Sequence, residues 1–149
     1  MSTIHLLVVG KLKDNHIQVL ENDYLKRLKE VELKIHELKS HKEDLHKEAS
    51  EVIKKLNTLG ISSPILLTEK GEEFDSPAFS SWLFTRLDNQ KDLGFVIGGA
   101  AGFDENLKKM AQSQISLGRL TYPHRLARLL FIEQVYRAQT IYKNHPYHK

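Results

Sequence analysis

The stretch FVIGGAAGFDENLKKMAQSQISLGRLTYPHRLARLLFIEQVYRAQTIYKNHPYHK, residues 95–149, decides the fold. Phe95-Val96-Ile97 reads as a buried strand running into a glycine cluster, Gly98, Gly99 and Gly102. Ile115-Ser116-Leu117 reads as a second strand, and after Thr121-Tyr122-Pro123-His124 a helix is predicted from His124 to about Tyr142. That helix is apolar on two sides, Leu126, Leu129, Leu130 and Ile141 on one, Ala127, Phe131, Val135 and Ala138 on the other. A single small sheet covers one side only, and a homodimer supplies a partner for the other. The chain ends on Pro146-Tyr147-His148-Lys149, two rings and a cation that are expected only where the end is held.

Upstream, strands and helices alternate. Ile4–Val9 is a short apolar run ending at Gly10, a buried strand. Asp14-Asn15 offers an N-cap for a helix over 15–29 with Ile17, Leu20, Tyr24 and Leu28 on its inner face. Val31–Glu37 alternates as a strand with one face open to solvent. Ser40-His41-Lys42-Glu43 has capping-box spacing, and Leu45, Ala49, Val52, Ile53 and Leu56 form the stripe of a helix stopped by Gly60. Pro64–Thr68 is a third strand leading into a charged turn over 69–74. Ser76 as N-cap and Pro77 at the first helical position open a helix whose buried face is Phe79, Trp82, Leu83 and Leu87. Asp104 caps the helix after the glycines. The pattern predicts an α/β fold, a mostly parallel sheet flanked by helices, in one domain spanning residues 1–149.

Composition narrows the function. The 149 residues contain no cysteine, which excludes disulfides, zinc–thiolate sites and a cysteine nucleophile. No apolar run approaches the ~20 residues of a membrane span and no leader pattern opens the chain, so a cytoplasmic protein without membrane contact is expected. The net charge of +3 is small, but its distribution is uneven. From Arg119 onward Arg119, Arg125, Arg128, Arg137, Lys143 and Lys149 face the single acid Glu133, with His124, Tyr136, His145 and Tyr147 interspersed. Cations for phosphates and rings for bases are what a nucleic-acid surface needs.

The glycines read as G-G-x-x-G, not the G-x-G-x-x-G of dinucleotide sites. Neither a phosphate-binding G-x-x-x-x-G-K-[ST] loop nor a G-x-S-x-G nucleophile elbow occurs. Two readings stay open, a tight strand-to-helix turn and a ligand held by backbone groups at the carboxyl ends of strands.

FVIGGAAG, ISLGRLTYPHRLARLLFIEQVYRA and NHPYHK together resemble one family, the bacterial 23S ribosomal RNA pseudouridine N3-methyltransferases, small members of the SPOUT class. The resemblance covers the whole chain. It implies a deep C-terminal trefoil knot, which general topology rules argue against. It further implies a homodimer, and S-adenosylmethionine bound in a bent conformation. Carried over by position, it places Leu67, Thr68, Gly98, Gly99, Gly102, Leu117, Gly118, Arg119, Leu120, Thr121 and Tyr122 at the cofactor. Gly118 departs from the family's usual serine, which leaves backbone contacts there but no hydroxyl.

The implied reaction methylates N3 of a pseudouridine of 23S rRNA in the assembled 70S ribosome. Alternatives are a knotted enzyme acting on another RNA such as tRNA, and an RNA-binding module without catalysis. His148 and Tyr147 are the candidate groups at the target base, His148 as proton acceptor or relay, or else the tail only closes the cofactor pocket. Arg137 and Glu133, an i,i+4 pair, join them as catalytic candidates, and Arg125, Arg128 and Arg137 are candidates for phosphates. His124 is read either as a helix-start cap or as a catalytic group, and no metal is expected.

Overall fold

A computed structural model describes residues 1–42 and 44–149. The elements in chain order are β1 (Ser2–Val9), α1 (Asn15–Arg27), β2 (Val31–Leu38), α2 (Leu45–Leu59), β3 (Ile65–Glu73), α3 (Ser76–Asn89), β4 (Asp92–Ile97), α4 (Glu105–Met110), β5 (Ser113–Ser116) and α5 (His124–Tyr142). The strands form one sheet in the order β2-β1-β4-β3-β5, every pairing parallel. This is the expected architecture.

Two-residue alternation along β1 assigns its side chains to two cores. Ile4, Leu6 and Val8 join Phe95, Ile97, Leu83, Phe131 and Val135 beneath α1, α3 and α5. Leu7 and Val9 face Ala49, Val52 and Leu56 of α2 and Leu107 of α4. Both faces of the central strands are therefore covered, which a parallel sheet requires. No helix among the described residues is long and apolar enough to cross a membrane.

Helix starts follow local chemistry, with three departures from expectation. Asp14 accepts from His16 and Ile17 N–H, and Asp104 from Leu107 N–H, as the sequence predicts. Asp75, not Ser76, caps α3 by accepting from Ala78 N–H, because the aspartate is one position better placed. Asp44 caps α2 through Lys47 N–H, while the Ser40 hydroxyl donates instead to Glu48. The glutamate of the expected capping box, Glu43, lies outside the described residues. On α1, Leu20 is half-exposed and Glu21 takes the buried position, because Arg128 of α5 awaits its carboxylate.

The expected turn over 69–74 is mostly strand. β3 continues to Glu73 through a register shift in which both Leu67 and Glu72 pair with Ile115. Gly71 makes the shift possible: a Cβ there would lie 2.5 Å from the Ile115 carbonyl carbon. Charged alternation in EKGEE hid a strand whose outer side meets water.

Candidate active site

The middle of β3 and the carboxyl ends of β4 and β5 surround a cleft of about 540 Å³. Leu67 and Thr68 come from β3, the glycine turn follows β4, and the segment after β5 closes the far side. His124 and Ala127 at the start of α5 complete it. Open parallel sheets place ligands at this end.

The glycine turn is shaped from within and from behind. Gly102 N–H donates to Gly99 O at 3.0 Å, and Gly102 adopts φ +86°, a left-handed conformation that glycine takes at no cost. A Cβ on Gly98 would sit 2.9 Å from Gly102 O and from the Phe103 ring. One on Gly99 would sit 2.8 Å from Glu48 Oε1. Glu48 is buried, and its other oxygen accepts from Ser40 Oγ and His41 N–H. These contacts bear out the tight-turn reading, and the loop they shape borders the cleft.

Across the cleft, Ser116 Oγ accepts from Gly118 N–H at 2.9 Å and donates to Gly118 O at 2.7 Å. Gly118 has φ +131°, so the residue that departs from the family's serine adopts a conformation that strains any L side chain. The hydroxyl organising this loop comes from residue 116 instead. Composition around the glycines offered no signal for Ser116.

Ten of the eleven expected cofactor residues line the cleft; Arg119 does not. Its guanidinium is exposed, with Nε 3.5 Å from Glu73 Oε1. Lys70, Lys108 and Phe103 line the cleft without having been singled out. His124 makes no cap: Pro123 occupies that position without a side-chain hydrogen bond, and His124 faces the cleft.

The four expected catalytic residues form a second constellation. Glu133 Oε1 accepts from Arg137 Nε at 2.9 Å, from Arg137 Nη2 at 2.7 Å and from the Tyr147 hydroxyl at 3.1 Å. Arg137 Nη1 lies 3.0 Å from His148 Nδ1. A guanidinium only donates, so Nδ1 accepts and the proton of the neutral ring sits on Nε2. Hydrogen bonding to Glu133 raises the Arg137 pKa, and burial, with Tyr24 and Glu133 nearby, pushes the Tyr147 phenol well up. The tail is held, its ring edge-on to Tyr136 with centroids 4.8 Å apart and Arg137 over its face.

This constellation stands apart from the cleft. None of its members lines the cleft. Glu133 is nine residues past His124 along α5, a rise of roughly 13 Å, and Arg137 is roughly 20 Å along. Of the phosphate candidates, Arg125 is exposed. Arg128 is buried, donating from Nε and Nη2 to Glu21 at 2.7 and 3.0 Å and from Nη1 to Glu37 at 2.8 Å. Burial opposes its charge, but the bonds to both carboxylates outweigh that and raise its pKa. Arg128 is a structural cation, not a phosphate ligand.

A family model described as "Predicted SPOUT methyltransferase" matches residues 2–148. The chain belongs to the SPOUT methyltransferase family. Within it, the chain is 39% identical to a protein of Flavobacterium johnsoniae, over 97% of this chain and 98% of that one. It is 40% identical to one from Parabacteroides distasonis, over 97% and 98%. A Streptococcus mutans relative is 37% identical, over 98% and 99%. All three are named "Ribosomal RNA large subunit methyltransferase H". For a SPOUT family member, the middle of β3 and the loops after β4 and β5 are the place to test for a bound cofactor.

Proposed function

We propose that this chain transfers a methyl group from S-adenosylmethionine to N3 of a pseudouridine in 23S rRNA, acting in the cytoplasm on the assembled 70S ribosome as a homodimer. The observation that carries the reading is the coincidence of two facts. Relatives matched over nearly their whole length bear a large-subunit rRNA methyltransferase name, and the residues that family implies for the cofactor converge on one cleft.

The residues fit the cofactor. A volume of about 540 Å³ lies within the ~300–1,000 Å³ usual for such ligands. Leu67, Ile97, Leu117 and Leu120 offer an apolar slot for adenine, edged by backbone groups of the glycine turn and of residues 117–122, with Lys70 and Lys108 available to a carboxylate. When bound, the cofactor supplies an electrophilic methyl on a sulfonium. The chain's task is orientation, from which most of the rate derives. Threading of the segment after β5 and of α5 through the loops is the trefoil knot of this reading.

His148 serves the target base as a donor. Its Nε2–H, fixed by Arg137 on Nδ1, is directed at a ring carbonyl, where charge accumulates as the N3 proton passes to water. Tyr147 stays protonated and braces Glu133. Because this group and the cleft lie at different places on one chain, the second copy brings its tail to the first copy's cleft. The exposed Leu120, Leu126 and Leu130 beside the cleft form the apolar contact that this pairing needs.

The test is methyl transfer from labelled cofactor to 70S ribosomes lacking the modification, with naked 23S rRNA and tRNA alongside, followed by mass spectrometry of rRNA fragments. A single methyl on one pseudouridine of the ribosomal sample is expected. Transfer to tRNA with none to ribosomes refutes the substrate.

A further inference from the structure

Gly99 is a glycine for a reason that its own backbone does not supply. Unlike Gly102, it does not adopt a positive φ. The three nearest atoms that a Cβ on it would meet all belong to Glu48, Oε1 at 2.8 Å and Cδ and Oε2 at 3.4 Å. The missing side chain lets a carboxylate of α2 press against the turn that borders the cleft.

The two oxygens of that carboxylate are used differently. Oε2 accepts from Ser40 Oγ at 3.3 Å and from His41 N–H at 3.0 Å, which ties α2 to the loop after β2. Oε1, the atom nearest the Gly99 position, has no hydrogen-bond partner among the described residues, although Glu48 is only 5% exposed. A second buried carboxylate, Asp104, lines the same small cavity behind the turn. Gly98 and Gly102 line that cavity and the cleft alike, so the wall between them is the turn itself. Asp104 Oδ1 caps α4 through Leu107 N–H at 2.9 Å, and Oδ2 lies 3.4 Å from Nδ1 of the exposed His46. Among the described residues no lysine or arginine pairs with either carboxylate. A buried negative charge is costly unless a positive one stands near it. A cation in the cleft faces this charge across glycine backbone alone.

We propose that Glu48 is a specificity-determining residue: its charge, with that of Asp104, favours the cationic cofactor in the cleft over the product left after methyl transfer, whose sulfur is uncharged. The proposal rests on the methyltransferase reading above. S-adenosylmethionine and S-adenosylhomocysteine differ by one methyl and the sulfonium charge, and they share the carboxylate for which Lys70 and Lys108 are available. Those lysines act on both molecules, so the ratio of the two affinities isolates the charge behind the turn.

Calorimetry measures the Kd of the full-length chain and its variants for both molecules, and circular dichroism checks that each variant folds. Glu48→Gln removes the charge but keeps the shape and an acceptor for Ser40 and His41. At an effective dielectric constant of about 20, unit charges roughly 10 Å apart change an equilibrium on the order of tenfold. In Glu48→Gln the S-adenosylmethionine Kd, divided by the S-adenosylhomocysteine Kd, should therefore rise about tenfold. Asparagine caps a helix as well as aspartate does. Asp104→Asn should thus fold and move the ratio the same way by less, because His46 stands beside that charge. Ser40→Ala removes one bond to Oε2 and no charge, and its ratio should match the wild type. A Glu48→Gln ratio within roughly twofold of wild type, or an equal rise in Ser40→Ala, overturns the role of Glu48. If Glu48→Gln fails to fold, an unchanged ratio in Asp104→Asn overturns the charge account instead. Wild-type protein that binds neither molecule overturns the methyltransferase reading itself.

Discussion

Replacing Arg128 by methionine isolates the interaction that ties α5 to the start of the chain. Its three hydrogen bonds reach Glu21, only 2% exposed, and Glu37 on the edge strand. In Arg128→Met the Glu21 carboxylate loses both of its hydrogen bonds from Arg128 while it stays buried. Removing one member of a buried pair costs about 3–5 kcal/mol, against a total stability of roughly 5–15 kcal/mol. For a chain of this size that is a fall in Tm of roughly 6–20 °C. Glu37 is a smaller part of the loss, since its side chain is about one-third exposed and still accepts from Leu12 N–H.

The second half of the cycle separates charge from packing. Glu21→Leu/Arg128→Met removes both charges and fills their space with apolar atoms, an exchange that is often neutral or stabilising. The double variant is expected to recover most of the loss, leaving a coupling energy of about 2–3 kcal/mol. Urea unfolding at one fixed protein concentration measures all four proteins. A loss below about 1 kcal/mol for Arg128→Met, or a double variant no better than the single, refutes the account of Arg128 as a buried structural cation.

Four further outcomes follow from the geometry. Gly98→Ala places a Cβ 2.9 Å from Gly102 O, and the resulting strain, about 1–3 kcal/mol, should weaken S-adenosylhomocysteine roughly tenfold or more by calorimetry; unchanged affinity removes the turn from the cofactor site. His148→Ala should keep cofactor affinity and lose about 10²–10³ in kcat, while His148→Gln, which retains an N–H donor, should recover part of it; equal losses refute the donor role. Mixing Gly98→Ala with His148→Ala protein should restore up to about a quarter of wild-type turnover through hybrid dimers with one intact site, whereas no recovery refutes a tail donated by the second copy. His5 and His36 stack with Nδ1 and Nε2 3.0 Å apart, and desolvation lowers both pKa values below 6.5; the unfolded chain binds more protons below pH 6.5, so the urea midpoint should fall as pH drops from there through the lowered values, and should fall less in His5→Leu.

Most of the fold was legible because the apolar periods were clean. Ile4–Val9 and Phe95–Ile97 are buried on both faces and read as apolar runs, interrupted only by His5. Gly60, at φ +75°, ends α2 where its position predicts. The caps of α2 and α3 were misplaced by local competition between neighbouring acceptors, and three other misreadings share one origin, in which a distant partner overrides a local signal. Glu21 displaces Leu20 from the buried face of α1 because Arg128, 107 positions away, supplies the matching charge. β3 runs past Thr68 because Gly71 lets it press on Ile115. Arg128 looked like a phosphate ligand because sequence displays a cation but not the carboxylates that claim it.

The division of the candidate site between two regions follows from the direction of α5. The helix starts beside the cleft, at the carboxyl ends of the strands, and runs back across the sheet until Gln139 meets the backbone of Lys29 and Glu30, just before β2 begins. Any residue in its second half is therefore carried away from the cleft at ~1.5 Å per position. The tail turns back at Asn144, with φ +55°, but it comes to rest on Glu133 and Arg137 rather than at the mouth. Two copies pairing through the apolar residues at the start of α5, related by a two-fold axis, can place one copy's tail against the other's cleft. On the proposed homodimer reading, that pairing covers the apolar start of α5 and brings the tail to a cleft with the same contact. Hybrid dimers test both consequences at once: a contact that covered α5 without bringing the tail across would leave the two variants unable to rescue each other.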